Sequence, residues 1–275
     1  MSPLLIVALV SLVLIALILA APYWVEYKRN KVKARPFPKA WRRILKSRVP
    51  LFHKLPADLQ LQLKRHILVF LAEKRFHGFQ GIEINDEIKV TIAAQACLLI
   101  LNRKARYYPK LKSIYVYPAA FIASHQGTDA AGVLQNQSRV LSGESWELGK
   151  VIVSWKDTVF GADNTDDGHN VVIHEFAHQL DQETGIANGA PFLSHKKNRC
   201  WSNILTEEFK NLQLQAANGE QSLLDHYGAT NPAEFFAVAS EVFFERPIEL
   251  KRRHAALYQQ LESFYRVDPA EWHPV

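Results

Sequence analysis

His174-Glu175-Phe176-Ala177-His178 is an H-E-x-x-H set inside the largely apolar stretch from Val171 to Asp181. On a helix, residues four apart lie about 40° apart around the axis, so both imidazoles can hold one metal ion. Glu175 lies about 100° from His174 by the same geometry, where its carboxylate can reach a water polarised by that ion. The set therefore points to hydrolysis, with a metal-activated water as nucleophile and Glu175 as general base. The same pattern arises by chance, as a core histidine beside a surface glutamate. Here it follows the turn-rich stretch Asp163 to Gly168, which supplies cap residues, and Val172, Ile173, Phe176, Ala177 and Leu180 form a buried face. That combination favours the metal.

A catalytic zinc usually takes three protein ligands and leaves one position to water, so a third ligand is needed. The best region runs from Tyr227 to Glu241. Asn231 reads as a helix cap and Pro232 as the first helical residue, with Glu234 and Glu241 two turns apart on one face. Either carboxylate fits by spacing. Glu234 could instead be a capping-box residue reaching back to Asn231, and Glu241 an outer partner or one half of a buried ion pair.

These segments resemble a known family. The H-E-F-A-H-x-L-D core, followed by Tyr227-Gly-Ala-Thr-Asn-Pro-Ala-Glu234-Phe-Phe-Ala-Val, is similar to the Mlc titration factor A family of bacterial zinc-dependent peptidases, which is distantly related to the catalytic domain of anthrax lethal factor. The resemblance covers roughly residues 40 to 268. It implies a zincin-like fold, one zinc ion on His174, His178 and Glu234, Glu175 as base, and Tyr227 as donor to the oxyanion. By the same resemblance Glu241 becomes an outer-shell residue. Asp181, close to both histidines around the helix, could fix a neighbouring group by hydrogen bonding. His169 and His195 are near the set in sequence and read as surface histidines.

The elements that must hold this chemistry begin with an uncharged apolar run from Pro3 to Pro22, about the length that crosses a bilayer. A cleaved signal peptide competes, since Leu19-Ala20-Ala21 offers small residues. No lysine or arginine precedes the run, however, whereas Lys28, Arg29, Lys31, Lys33 and Arg35 follow it, the reverse of a signal peptide. The positive-inside rule then predicts a single span with the catalytic part in the cytoplasm. Tyr23, Trp24 and Tyr27 suit the membrane interface.

The formal charge of +6 is concentrated beside that span: ten Lys/Arg lie between Lys28 and Arg48, with no acid among them. Setting these and Glu26 aside leaves 23 basic against 26 acidic residues. The basicity thus reads as a belt for anionic headgroups, and nucleic acid is not an expected partner. Cys97 lies in an apolar helical run and Cys200 beside Trp201, without C-x-x-C spacing, as expected for reduced thiols.

Helices are expected over Asp58 to Arg75, Asp86 to Asn102, about Lys196 to Ala217, and about Ile248 to Tyr265 after a break at Arg246-Pro247. Ser113 to Tyr117 and Gly149 to Trp155 read as strands. The second, leading into the histidine helix, could be an edge that pairs with an extended substrate. The expected architecture is α+β and mostly helical: an anchor at 3–22, a basic juxtamembrane segment at 23–48, and a zinc metallopeptidase domain with a small sheet at 49–275. The expected partners are a peptide or protein substrate and the membrane. The rival reading is a metal-containing regulatory protein that sequesters a transcriptional repressor, since the resemblance implies Mlc binding in enteric members. The base Glu175 and the phenol of Tyr227 favour the enzyme.

Overall fold

The chain opens with a 31-residue helix, α1 (Pro3–Lys33), that carries the uncharged run directly into the basic one. It is long and apolar enough to cross a membrane, and its apolar window is wholly unburied. The computed structural model describes residues 2–103, 106–128, 134–141, 143–146, 149–185, 187–189, 191 and 195–272.

Past Pro22 the helix continues because its last turns have a surface to lie on. Arg29 forms a bidentate pair with Glu73 at 2.7 and 3.0 Å, its guanidinium stacks over Tyr107, and Val32 packs against the core. Pro36 and Pro38 then precede α2 (Lys39–Arg48), which is followed by the single turn α3 (Leu51–Lys54). Helix α2 buries Leu45 completely, and Trp41 Nε1 donates to Asp86 at 2.9 Å.

Helix α4 (Ala57–Glu73) turns Leu59, Leu63, Ile67 and Phe70 inward on one stripe. Strand β1 (Arg75–Gly78) leads to α5 (Asp86–Leu98), which is capped by Asn85 and buried along nearly its whole length. Next come β2 (Ser113–Tyr117), β3 (Phe121–Thr128), β4 (Leu134–Leu141), β5 (Gly143–Trp146) and β6 (Lys150–Ser154). The remaining helices are α6 (Trp155–Asp163), α7 (Val171–Asp181), α8 (His195–Asn218), α9 (Pro232–Glu245), α10 (Pro247–Arg253) and α11 (Ala255–Tyr265).

The protein is mostly helical with a small sheet in the order β1-β2-β6-β5. The first three strands are parallel, with Ile114 beside Val151 and Val116 beside Val153. The inward side chains of β2 and β6 are buried, while β1, at the sheet's edge, contributes only the partly buried Phe76. Strand β5 adds antiparallel to β6, and β3 pairs with β4 in a separate ladder.

Two expectations need correction. Strand β6 is interior, flanked by β2 and β5, so among the described residues the outer strand on that side of the sheet is β5, a short segment with weak strand character in sequence. The expected last helix is two, α10 and α11, broken at His254. No glycine or proline marks that break; His254 Nδ1 instead sits 2.8 Å from Glu208 of α8. Cys97 is buried, Cys200 is exposed, and both are free.

Candidate metal centre

Helix α7 starts at Asn170 rather than within Asp163–Gly168. The Asn170 side chain accepts from the backbone N–H groups of Val172 and Ile173, satisfying donors that a helix start leaves open. The helix then buries Val172, Ile173, Phe176, Ala177 and Leu180. Phe176 lies against the rings of Phe70 and Tyr108, so the apolar face holds α7 still while His174 and His178 face the other way. Helix α9, apolar almost all round, packs against α7 and is capped by Asn231, which accepts from Ala233 and Glu234 N–H.

Three ligand atoms converge between these helices. His174 Nε2 is 2.9 Å from Glu234 Oε2, His178 Nε2 is 3.3 Å from that oxygen, and the two imidazole nitrogens are 3.2 Å apart. Ligands about 2.0–2.1 Å from a tetrahedral zinc stand about 3.3 Å from one another, so these residues fit a metal ion. The capping-box reading of Glu234 does not hold, because its carboxylate is turned to the histidines.

Glu241 stands behind the three converging groups. Its Oε1 is 2.8 Å from His174 Nδ1, and its Oε2 accepts from the Asn170 N–H. Spacing left Glu234 and Glu241 equivalent; here Glu234 is with the two Nε2 atoms and Glu241 is on the far side of the His174 ring. Burial opposes charge on His174, yet the hydrogen bonds to Glu234 and Glu241 outweigh it and hold the imidazole's pKa well above its usual value. Burial would raise Glu234, but hydrogen bonding to His174 and His178 holds its carboxyl well below the usual range. A divalent cation binds such a set by taking the imidazoles neutral and the carboxyl ionised, so its affinity rises with pH.

Glu175 is 4% exposed, and its charge adds to the field on His174. Tyr227 is 54% exposed, with its ring centroid 6.0 Å from that of His174, so it is not a packed loop aromatic. Its backbone belongs to a 3-10 turn (His226–Ala229) capped by Asp225, which accepts from Tyr227 N–H at 2.7 Å. Asp181 is fully buried and accepts from the Gly189 N–H at 2.6 Å; Trp201 Nε1 donates to the Gly189 carbonyl. His169 is exposed, 3.8 Å from Asp225. His195 begins α8, and its side chain lies outside the described residues.

Sequence reasoning missed three residues here. Asn170 and Glu245 meet beneath the cluster, where the Asn170 amide donates to Glu245 at 3.0 Å. Gly189 lies against the first turn of α9. The signals were faint: an Asn before an apolar run, a Glu four residues after Glu241, and one glycine in a polar loop.

A mostly helical body with two histidines and a glutamate held on facing helices is the arrangement of a metallopeptidase. The family described as glucose-regulated metallo-peptidase M90 matches residues 24–266, and the chain belongs to it. An uncharacterized protein of Synechocystis sp. is 38% identical over 98% of both chains. Mlc titration factor A of Salmonella typhi is 35% identical over 81% of this chain and 84% of its own length, and that of Enterobacter sp. is 34% identical over the same shares.

Proposed function

We propose that the protein is a membrane-anchored zinc metallopeptidase with a zincin-like fold, in which His174, His178 and Glu234 hold one zinc ion. The observation carrying this reading is the convergence of two Nε2 atoms and one carboxylate oxygen within 2.9–3.3 Å. Zinc, when bound, supplies Lewis acidity toward a peptide carbonyl and makes water a better nucleophile at neutral pH. Glu241 accepts from Nδ1 of His174 and so presents Nε2 as the lone-pair nitrogen. Glu175 acts as the base that takes the proton of the attacking water and returns it to the leaving amine. The Tyr227 hydroxyl donates to the oxyanion as the carbonyl carbon becomes tetrahedral. An extended substrate can add to the outer edge of β5, the last strand of the sheet among the described residues, which packs beside α7.

The run from Pro3 to Pro22 serves as the membrane anchor, with the basic segment 23–48 at the cytoplasmic headgroups and the catalytic unit beyond it. Support comes from the unburied apolar helix and the charge order around it. Because α2 packs Trp41, Ile44 and Leu45 against the core, the second half of the basic segment is also part of the catalytic body.

A second reading takes its support from the relatives' name: a metal-containing protein that binds a transcriptional regulator. Metal analysis of the purified protein, combined with cleavage of a peptide library, separates the two. Stoichiometric zinc with cleavage supports the peptidase. Zinc with no cleavage across the library transfers the case to the binding protein, and absence of metal removes both.

A further inference from the structure

We propose that Asn170 and Glu245 are a positioning pair that couples the histidine helix to the carboxylate helix and sets the distance between His174 and Glu234. The functional consequence rests on the metallopeptidase reading; the coupling itself rests on hydrogen bonds outside the ligand set.

Every polar group of Asn170 is committed. Its Oδ1 accepts from Val172 and Ile173 N–H at 3.1 and 3.0 Å, and its carbonyl accepts the backbone N–H of His174 at 2.9 Å. Its own N–H goes to Glu241 Oε2. The two protons of its amide go to the Gly161 carbonyl at 3.1 Å and to Glu245 Oε1 at 3.0 Å. Glu245 Oε2 in turn accepts from Gly168 N–H at 3.1 Å.

Glu234, Glu241 and Glu245 share one side of α9, so the helix meets α7 at three levels. Glu234 reaches the ligand nitrogens, Glu241 the back of the His174 ring, and Glu245 the residue from which α7 starts. The coupling is buried, with Asn170 and Glu245 at 4% and 3% exposure, where a misplaced donor has no water to turn to. Gly161 admits it: a Cβ there would stand 3.0 Å from Asn170 Cα and 3.2 Å from its Cγ. A shift of the Asn170 backbone moves the start of α7 and, through Glu241, the tilt of the His174 ring.

A residue that only caps α7 needs nothing but its Oδ1, and aspartate caps as well as asparagine. Asn170→Asp therefore isolates the coupling, since it keeps the cap and replaces a donor by a carboxylate facing Glu245 and the Gly161 carbonyl. Adding Glu245→Gln reverses the polarity, letting the new amide at 245 donate to the new carboxylate at 170.

The test uses the full-length protein in detergent micelles, with zinc affinity measured by chelator competition and the unfolding midpoint by heating. Asn170→Asp is expected to weaken zinc 10- to 100-fold, the range for outer partners of metal ligands, and to lower the midpoint. The double variant should recover part of both, since the Gly161 carbonyl stays without its donor. If Asn170→Asp does not fold, Glu245→Ala, which leaves the cap intact, must show the weakening. Because the raised pKa of Glu245 lets its carboxyl donate to the new carboxylate in Asn170→Asp, Glu245→Ala is the deciding variant: wild-type zinc affinity in both Asn170→Asp and Glu245→Ala overturns the proposal. If the wild type takes up no zinc, the metal reading fails by itself, and recovery of the midpoint in the double variant decides the coupling.

Discussion

The carboxylate of Glu241 lies 2.8 Å from Nδ1 of His174, so the ring's other nitrogen is the one turned toward Glu234 and His178. This relationship ranks two glutamates that look alike in sequence. Glu234→Ala is expected to abolish tight zinc binding. Glu241→Ala should weaken it by about 10- to 100-fold, as for other outer-shell partners. Zinc content after dialysis reads both, and stoichiometric zinc in Glu234→Ala with none in Glu241→Ala would invert the assignment.

On the proposed reading, catalysis should separate from metal binding at Glu175 and Tyr227. Glu175→Gln keeps the shape of the side chain and loses the base, so zinc should remain while kcat falls about 100-fold or more. Tyr227→Phe, at an exposed ring beside His174, should also keep zinc and lose about 100-fold in kcat with little change in KM. Wild-type turnover in both variants would remove these roles.

Gly189 has φ +73, and a Cβ there would stand 2.4 Å from the Pro232 carbonyl oxygen. Backbone cannot yield as a flexible side chain does, and a left-handed conformation adds its own cost for a residue with a side chain. Gly189→Ala is expected to cost about 1–3 kcal/mol, measured by denaturant unfolding. Because Pro232 opens the helix that carries Glu234, zinc affinity should fall with it.

Glu245 has its pKa pushed up to about 9, first by burial, with Glu241 and Asp167 adding to it against the hydrogen bonds from Asn170 and Gly168. The folded value lies above the ordinary carboxylate value, so the folded state binds this proton more tightly than the unfolded chain. The stabilisation is complete below about pH 4.5 and is lost as pH rises toward 9. Wild-type Tm should therefore fall across that window, and Glu245→Gln should flatten the fall by at least about 3 °C. Parallel Tm profiles for the two proteins would contradict this.

The proposed topology rests on the uncharged start and the basic flank. A reporter active only in the cytoplasm, fused to the C-terminus, should give signal in the membrane fraction. A silent reporter, or a mature chain starting near Ala21, would make the first segment an export signal and move the catalytic unit out of the cytoplasm.

The candidate metal set was largely legible because its spacing is local. His174, Glu175 and His178 lie within one helical turn and a half, and that period alone puts the imidazoles on one face. The apolar run at the start, the basic belt and the Asn231-Pro232 helix start are legible for the same reason, since each depends on neighbours in the chain. The choice between Glu234 and Glu241 was not, because both lie on one face of α9 and only the packing of α9 on α7 decides which meets Nε2. The same holds for Asn170 and Glu245, 75 residues apart, and for the break at His254, held by Glu208 from another helix. It holds too for β6, made an interior strand by β5. Sequence determined the donor types and their local spacing; the tertiary structure alone decided which atom faces which, because long-range packing sets those distances and no local period encodes them.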